Sequence, residues 1–408
     1  MEYQFIEQVN EEDHDTFIKA HPLCSLLQSS KWAKVKQNWD SIRSGVKNEY
    51  GELVLCSLIL IKRLPLNFSF FYIPRGPIAD FQNKELLAFY FEHVKKLSKR
   101  YRCLLIKVDP GLHVNDYLSS DYNTNHYPET KEYLEVMKVC GAIHQGFVMS
   151  IGDSIQPRFQ ANVYRAENFE ETLPRHTRRL IKDALKRKVE VVIGGKEYVS
   201  TFAKLVALTE ERKGVSLRSE QYFQSLCDIY GSRANIMLAR VNLSSLCQEY
   251  MQKYEEIEKE IASCEPHAKK KIRRLEDMRA ALQKDIKEFQ TILEQVNGKE
   301  GWIFIAGVLS IRYGHTCEML YAGMDQRFKK FMPQYYLYQE NMKWAFENGC
   351  ESCNMGGIEG SLQDGLTKFK DNFRPIINEF IGEFDIPTNK LLYPFVKIAY
   401  KYMKRRLM

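Results

Sequence analysis

The sequence predicts an α+β (α/β) fold in which two domains carry a projecting arm of two antiparallel helices. Three observations lead to this prediction. The chain has 408 residues, which exceeds one average hydrophobic core. Strand-like and helix-like segments alternate through both halves in a similar order, as in a duplicated fold. In 243–298, two helical apolar stripes meet at a turn that contains Pro266, which predicts a coiled-coil hairpin.

The first domain is predicted to occupy 1–152, with a strand near 380–385 returning to its sheet. Alternating or continuous apolar residues indicate strands, and apolar residues three or four apart indicate helices. The expected strands are 3–9, 41–48, 53–63, 68–73, 103–108 and 142–150. The expected helices are 11–20, 29–36, 83–99 and 132–140. These elements describe an antiparallel-leaning sheet with helices packed against it.

The second domain is predicted to combine 153–242 with 299–388, on either side of the arm. Its expected helices are 170–188, 199–212, 219–230, 333–348 and 362–370. Its expected strands are 189–193, 234–241, 302–311, 317–323, 352–355 and 376–384. The arm is therefore inserted between two strands of a mixed domain.

The arm has one narrow apolar seam on each helix, because its other positions are mostly Glu, Lys, Arg and Gln. The first seam comprises Leu243, Leu246, Tyr250, Tyr254, Ile257 and Ile261. The second comprises Ile272, Leu275, Met278, Leu282, Ile286, Phe289, Leu293 and Val296. At about 1.5 Å per residue, each helix should be about 30 Å long. An arm of this length is suited to reaching a large partner.

Positive charge is concentrated in separate clusters, although the net charge is only +7. One cluster lies at the arm tip and comprises Lys269, Lys270, Lys271, Arg273 and Arg274. Another lies in the helix predicted at 170–188 and includes Arg175, Arg178, Arg179 and Lys182. Several such clusters suit a polyanion, either a nucleic acid or an anionic membrane surface, whereas one cluster alone also suits a solvated helix face.

The C-terminal segment 389–408 is predicted to be a basic amphipathic helix. Its apolar residues are Leu392, Phe395, Ile398, Ala399 and Met403, with lysines between them. Such a helix either lies on an anionic membrane surface or packs on the body of the protein.

Composition indicates a globular protein of the cytoplasm. Hydrophobic residues make up 44% and charged residues 27% of the chain. The longest apolar runs, such as 53–61, are about half the length that spans a bilayer, and no signal segment opens the chain. The 10 cysteines are therefore expected to be reduced thiols. Cys350 and Cys353 have no further ligands nearby, so no metal site is expected.

The usual catalytic signatures are absent from the sequence. The segment 194–196 lacks the upstream glycine and the following Ser or Thr of a phosphate-binding Walker loop. There is no dinucleotide fingerprint, no His-Glu-x-x-His and no Gly-x-Ser-x-Gly. These absences argue against an NTPase, a dinucleotide-dependent oxidoreductase, a zinc protease and an α/β-hydrolase.

Two short polar and aromatic groups are instead suited to binding an anion. Lys36 and Trp39 lie three residues apart at a helix end, where a cation can hold a phosphate and an indole can stack on a ring. Ser219 is a natural helix cap, so Arg218 should lie beside a helix N-terminus that already favours an anion. A diphosphate would suit this second group.

The sequence resembles the FemABX family of peptidoglycan interpeptide-bridge aminoacyltransferases, in particular its MurM- and MurN-like members. The resemblance covers the whole length, and its motifs agree in order. They are Leu-Leu-Gln-Ser-Ser-Lys-Trp-Ala at 26–33, Tyr-Ile-Pro-Arg-Gly-Pro at 72–77, Ile-Lys-Val-Asp-Pro at 106–110, Ser-Leu-Arg-Ser at 216–219, the inserted arm, and Lys-Phe-Lys-x-x-Phe at 368–373. It implies two GNAT-type acetyltransferase-like domains plus the arm. It also implies transfer of an amino acid from aminoacyl-tRNA to the stem-peptide amine of a cell-wall precursor, without a cofactor.

The resemblance also assigns roles to individual residues. The groove for the precursor, either lipid II or UDP-MurNAc-pentapeptide, would be lined by Lys36, Trp39, Ser216, Arg218, Tyr222 and Tyr321. Phe369 and Lys370 would lie where the aminoacyl ester meets the acceptor amine, with Lys370 stabilising the oxyanion. Asp109 matches an acidic residue once proposed as a base, although Asp before Pro is also a good turn former. Asn354 stands where the family often has Asp.

The basic residues of the arm tip and of the helix at 170–188 are expected to bind the tRNA. The protein is expected in the cytoplasm, with peripheral contact to the inner face of the plasma membrane. Two alternatives stay open, an acyl-CoA-dependent N-acetyltransferase and a non-catalytic tRNA-binding protein. The transferred residue (Ala, Ser or Gly), its bridge position, the form of the acceptor and the oligomeric state also stay open.

Overall fold

The computed structural model describes residues 2–122, 124–213, 218–296 and 301–407, with side chains omitted at 212–213 and 401–407. The strands of the first half are β1 Gln4–Ile6, β2 Asp40–Lys47, β3 Leu53–Arg63, β4 Ser69–Arg75, β5 Ile78–Ala79, β6 Cys103–Pro110, β7 His113–Tyr117 and β8 Ile143–His144. Those of the second half are β9 Phe159–Tyr164, β10 Glu190–Gly194, β11 Ala234–Val241, β12 Ile303–Tyr313, β13 Thr316–Met324, β14 Ser352–Ile358, β15 Ile376–Phe380 and β16 Phe384–Pro387.

The helices before the arm are α1 Glu11–Ala20, α2 Ser30–Val35, α3 Lys84–Arg100, α4 Glu129–Val139, α5 Phe169–Thr172, α6 Arg175–Lys186, α7 Val199–Lys213 and α8 Glu220–Tyr230. The arm consists of α9 Leu243–Ser263 and α10 Lys269–Gln295. After the arm come α11 Pro333–Glu347, α12 Gly365–Asp371 and α13 Tyr393–Leu407. None of these helices combines the length and the apolar character needed to cross a membrane, over the residues described.

The strands form two sheets of similar construction. The first runs β1-β2-β3-β4-β6-β16-β8, with β5 beside β3, and the second runs β10-β11-β12-β13-β14-β9-β15-β7. In each sheet an antiparallel run leads into a parallel pair, β4 with β6 and β13 with β14. The predicted fold class, two α/β domains with a helical arm, is confirmed.

The two sheets exchange strands: the return of a strand near 380–385 to the first sheet was expected from the sequence, whereas the transfer of β7 to the second sheet was not. β7 lies within 1–152, yet it pairs antiparallel with β15 in the second sheet. The single strand expected at 376–384 is two strands, β15 in the second sheet and β16 in the first, where β16 pairs with β6. Gly382 turns the chain between them with φ of 92°, a conformation that glycine adopts readily. The chain therefore crosses between the domains more than once.

A buried ion-pair network stabilises the pairing of β16 with the first sheet. Lys107 of β6 donates to Glu383 at 2.8 Å, and its Nζ lies 2.7 Å from a carboxylate oxygen of Asp385. All three side chains are buried, and the carboxylates hold the pKa of Lys107 above its usual value against the effect of burial. Removing one partner of such a network leaves an uncompensated buried charge, so the three residues favour this strand pairing over others.

Three apolar cores divide the molecule into layers. The outer face of the first sheet packs against α3 and α4, and the outer face of the second against α6 and α11. The third core lies between the two sheets and includes residues of α2, α7 and α8. In β3, Leu58 and Leu60 face this shared core whereas Ile59 and Ile61 face the outer core, because side chains alternate along a strand. Burial on both faces explains the apolar run at 53–61, which only Ser57 interrupts.

The arm has the predicted hairpin form and joins the neighbouring strands β11 and β12. Leu246 and Phe289, at its base, belong to the outer core of the second domain. Further out, Ile257 and Leu275 are buried between the two helices. Met278 was expected in the apolar seam but is 44% exposed, so this assignment was wrong.

Two other helices differ from expectation. The helix expected at 170–188 is interrupted at Leu173 and Pro174, because a proline disfavours helical geometry in the residue before it. In α13, Tyr393, Val396 and Tyr400 pack against the shared core. The expected apolar positions Leu392, Phe395 and Ile398 are exposed.

Removing one core side chain of β16 tests how much the exchanged strand contributes to stability. Phe384 is 1% exposed in the first domain's outer core, so Phe384→Ala should lower the free energy of unfolding by about 3–5 kcal/mol, as is typical when a large core side chain is removed. Phe395 is 71% exposed, so Phe395→Ala, the matched control, should change it by less than about 0.5 kcal/mol. Urea unfolding followed by circular dichroism measures both, and equal effects would contradict this account of β16.

Candidate active site

A cluster of cationic and aromatic side chains, here named the cationic groove, lies where the two domains meet. Lys36 follows α2 of the first domain, whereas Arg218 and Tyr222 lie at the start of α8 in the second. The Arg218 guanidinium lies 5.4 Å from the Tyr222 ring centre, and the Tyr222 and Tyr321 rings are 6.0 Å apart. Burial, together with the nearby Arg218 charge, lowers the pKa of Lys36 to about 8. The structure thus brings together four of the residues expected in the precursor groove.

Trp39 does not form the cation–indole pair expected from the sequence. The ammonium of Lys36 lies 5.3 Å from the ring of Trp32, four residues earlier on the same helical face. The helix ends before Lys36, so the chain turns and Trp39 packs against Phe70 at 6.2 Å, beside Lys62. Trp32 is therefore the indole that Lys36 contacts. Ser216 lies outside the described residues.

This groove has the chemistry of an anion site. Ser219 caps α8 by accepting a hydrogen bond from the Tyr222 N–H at 3.4 Å. The helix has 11 residues, and unpaired N–H groups at a helix start favour negative charge. Lys36 and Arg218 add two cations that repel each other when the groove is empty, so a ligand with two negative charges is favoured.

A polar cavity of about 580 Å³ also lies between the domains. The first domain contributes the loop at 22–27, Arg75 and the start of β7. The second contributes the polar face of its sheet, through Gln160, Asn162, Tyr164, Glu318, Asn354 and Asn378. Neither Glu318 nor Arg75 was among the site residues expected from the sequence. The sequence signal for Glu318 was a charged residue within the mainly apolar strand β13, because alternate side chains of a strand face opposite sides of the sheet.

Lys370 lies at the wall of this cavity. Its side chain is 4% exposed, and Nζ donates a hydrogen bond of 2.8 Å to the Gly357 carbonyl. Gly356 and Gly357 line the cavity, so only the backbone of these two glycines separates the Lys370 ammonium from the cavity at this point. The Phe369 ring packs against Tyr335 and Tyr338, at 5.3 and 5.2 Å between ring centres. Phe369 thereby fixes the helix that carries Lys370.

Asp109 is a buried carboxylate within β6. The Asp-Pro sequence also suggested a simple turn former, which the structure does not show. It accepts hydrogen bonds from the Tyr72 hydroxyl at 3.0 Å and from the Arg75 N–H at 2.8 Å. Burial raises its pKa to about 7, although Arg75 opposes that shift. These contacts hold the backbone of Arg75, which lines the cavity. A role for Asp109 as a base stays a prediction.

The residues expected to bind tRNA lie on two exposed surfaces. On α6 they are Arg175, Arg178, Arg179 and Lys182. At the arm tip they are Lys269, Lys270, Lys271, Arg273 and Arg274, of which Lys271 pairs with Glu260 at 2.8 Å. The far end of α6 contacts the base of the arm, where Arg187 lies 3.6 Å from Asp285. Both surfaces therefore belong to the second domain and its insertion.

Comparison with known proteins decides the family. The model of the FemAB family matches residues 9–401. The chain belongs to the FemAB family. The lipid II:glycine glycyltransferase of Staphylococcus aureus (strain USA300) is 30% identical over 412 residues, covering 95% of this chain and 94% of that protein. The same-named protein of Staphylococcus haemolyticus (strain JCSC1435) is 28% identical over 408 residues, with the same coverage.

A solved structure supports the assignment to the FemAB family. The crystal structure of FemX matches with a TM-score of 0.75 at 28% identity, covering 97% of this chain and 100% of FemX. The predicted family and the predicted enzyme class, an aminoacyltransferase, are confirmed. These matches favour that prediction over the two alternatives, an acyl-CoA-dependent acetyltransferase and a non-catalytic RNA-binding protein.

The lowered pKa of Lys36 predicts a pH-dependent affinity for a diphosphate ligand. Lys36 carries its charge below about pH 8 and loses it above, so the affinity for UDP-MurNAc-pentapeptide should fall by up to about tenfold as pH rises from about 7 to about 9. Arginine stays protonated over this range, so Lys36→Arg should bind with little dependence on pH.

Isothermal titration calorimetry across this pH range measures both proteins. Arg218→Ala is a second check: it should weaken binding and, because the Arg218 charge helps to lower the pKa of Lys36, should move the decline in affinity to higher pH. An equal decline in Lys36→Arg would show that another group is responsible for the pH dependence.

Proposed function

We propose that the protein adds a small amino acid, carried by aminoacyl-tRNA, to the stem-peptide amine of lipid II and so builds an interpeptide bridge. The observation that carries this proposal is the groove at the domain junction, in which Lys36 and Arg218 lie together beside Tyr222. Two cations at a helix start suit the diphosphate that lipid II and its UDP-linked precursor share. Relatives named lipid II:glycine glycyltransferases support lipid II as the acceptor and glycine as the first donor to test.

The reaction is the aminolysis of an ester. The amine nitrogen forms a bond to the ester carbonyl carbon, and the bond from that carbon to the ribose oxygen breaks. The amine loses a proton, and the ribose oxygen leaves as a hydroxyl group. Because the ester is already activated, positioning and stabilisation of the oxyanion supply most of what the enzyme must add. Lys370, at the cavity wall, is the proposed stabilising cation.

The donor proposal rests on the two basic surfaces. The tRNA backbone carries one negative charge per nucleotide, and exposed lysine and arginine side chains bind such a backbone without reading its sequence. The surface on α6 and the arm tip would contact separate parts of one tRNA, since the arm extends from the domain that carries α6. The aminoacyl end would then enter at the domain junction.

The helix α13 is proposed to hold the protein at the inner face of the plasma membrane. Its inward residues pack on the shared core, whereas Leu391, Leu392, Phe395 and Ile398 are exposed. Lys390 and Lys397 are also exposed and lie among these residues. An apolar strip with lysines beside it suits the surface of an anionic membrane, which is where a lipid-linked acceptor would be met.

A transfer assay tests the proposed function. Purified protein is given lipid II or UDP-MurNAc-pentapeptide together with tRNA charged with Gly, Ala or Ser, and the product is followed by mass spectrometry. Transfer to lipid II from at least one of these donors is expected. Absence of transfer with every pair, while the donors stay intact, would refute the proposal.

Removing the Lys370 charge should slow the chemical step. Lys370→Met keeps most of the apolar stem and should lower kcat by about 10²–10³, the scale for losing one oxyanion donor, with smaller effects on either KM. Lys368 is exposed on the same helix, so Lys368→Met is the matched control and should leave kcat nearly unchanged. Near-normal turnover in Lys370→Met, with Asp109→Asn inactive, would assign the chemistry to a carboxylate base.

The arm tip should bind tRNA through charge. Replacing Lys269, Lys270 and Lys271 with Gln should weaken tRNA binding and reduce the slope of log K against log salt by about 0.7–0.9 for each phosphate that the protein no longer neutralises. The affinity for the precursor should not change. Filter binding at several salt concentrations measures these effects.

A matched control replaces three exposed lysines of the first domain, Lys96, Lys99 and Lys131, with Gln. The control should keep the wild-type slope. Equal effects in both triple variants, or a flat salt dependence in the wild type, would assign the arm to another partner.

A further inference from the structure

The cavity between the domains contains a polar site that is separate from the cationic groove. Because side chains alternate along a strand, one face of β9, β13, β14 and β15 presents polar groups to the first domain. Opposite side chains of the same strands, among them Ala161 and Cys353, are buried in the outer core. A cavity of about 580 Å³ is large enough to admit an amino acid side chain or an aminoacyl group.

Glu318 is the acidic centre of this polar face. It pairs directly with Asn354 across the parallel strands β13 and β14, and the Asn354 amide forms a hydrogen bond to its carboxylate. The orientation of that amide is fixed. Its oxygen accepts the Gly356 N–H at 2.7 Å, and its nitrogen also donates to Gln160 at 2.8 Å. Glu318 is therefore held in place by an amide that has a single orientation.

The charge on Glu318 is only weakly compensated in the protein. Burial raises its pKa to about 7, with opposition from the Arg75 charge. Arg75 is itself engaged elsewhere, since it donates to the Pro157 carbonyl at 2.6 Å and its guanidinium lies 3.8 Å from the Phe380 ring centre. A carboxylate in this situation is stabilised by a positively charged ligand.

The lining selects one class of ligand chemistry. An anion would be repelled by the carboxylate, and an apolar ligand would leave buried polar groups without partners. A primary ammonium group carries three N–H donors, which match a carboxylate in a cavity whose lining also includes the amide oxygen of Gln160 and the hydroxyl oxygen of Tyr164. Its positive charge would also compensate the negative charge of Glu318.

We propose that Glu318 and Asn354 form an ammonium-binding subsite that receives the primary amine of a substrate. This inference rests on the proposed function, in which both substrates carry such a group. The position fits, since Gly356 and Gly357 line the cavity on one side and contact Lys370 on the other. On β13, Leu320 lines the cavity and the next residue, Tyr321, lies in the cationic groove. The subsite therefore shares its cavity with the two glycines that contact Lys370, and shares strand β13 with Tyr321.

The amine has two sources with the same chemistry. One is the α-ammonium of the amino acid on the tRNA, and the other is the side-chain ammonium of the stem peptide. Their experimental signatures differ, because losing the subsite raises the KM of the substrate that occupies it and leaves the KM of the other unchanged.

A binding experiment tests the subsite without the reaction. Ligand-observed NMR compares glycinamide, which carries an ammonium group, with acetamide, which does not. Wild-type protein should bind glycinamide in preference to acetamide, and Glu318→Gln should weaken glycinamide binding by about tenfold. Glu351 also lines the cavity but is exposed, so Glu351→Gln is the matched control and should bind like the wild type. Glu318→Asp retains the charge and should keep part of the affinity, which guards against a folding defect in the glutamine variant.

A kinetic experiment identifies the source of the amine. With glycyl-tRNA and lipid II, Glu318→Gln should raise one of the two KM values by about ten- to hundredfold. If the donor occupies the subsite, N-acetylglycyl-tRNA should be used equally poorly by the wild type and the variant. If the acceptor occupies it, the KM of lipid II should rise and that of the donor should not.

The outcomes separate the two proposals. Equal glycinamide binding by wild type, Glu318→Gln and Glu351→Gln, with equal KM values where transfer occurs, would overturn the subsite. Glycinamide binding that depends on Glu318, in a protein that transfers no amino acid, would support the subsite and refute the proposed function.

Discussion

The apolar core shared by the two sheets is the interaction on which the rest of the structure depends. It takes in β3 and β4 of the first domain, β11 and β12 of the second, and the helices α2, α7 and α8 between them. Exposing this face of either sheet to water would lower the stability by about 1.5–3 kcal/mol for each large apolar side chain that is buried there. The domains are therefore expected to keep a fixed relation, reinforced by the exchange of β7 and β16.

This shared core gives the site its chemistry. Lys36 and Arg218 come from different domains, so the groove exists only when the domains are packed together. The same packing excludes water, which lowers the pKa of Lys36 and raises the pKa of Glu318 and of Asp109. Charges in such a place interact with ligands more strongly than they would on an open surface. The junction between the domains thus carries both cations, which suit a diphosphate, and a carboxylate, which suits an ammonium group.

Local sequence patterns predicted the elements well where one physical rule dominates. The arm followed from apolar residues three or four apart, and Ser219 capped α8 as its residue type indicates. Prediction failed where distant contacts decide. Met278 continues the apolar spacing but is exposed, and Trp39 has the right spacing from Lys36 but lies beyond a turn. The polar cavity was missed because its lining comes from strands that are far apart in the chain.

The sequence by itself determined the two-domain α/β class, the arm and its basic tip, and, through motifs in order, the family. These features depend on residue type and spacing, which are local properties of the chain. The tertiary structure alone decided that β7 joins the second sheet, that Trp32 is the indole beside Lys36, and that Glu318 pairs with Asn354. Strand pairing and burial decide these features, and both arise from contacts between residues far apart in sequence, which no local pattern encodes.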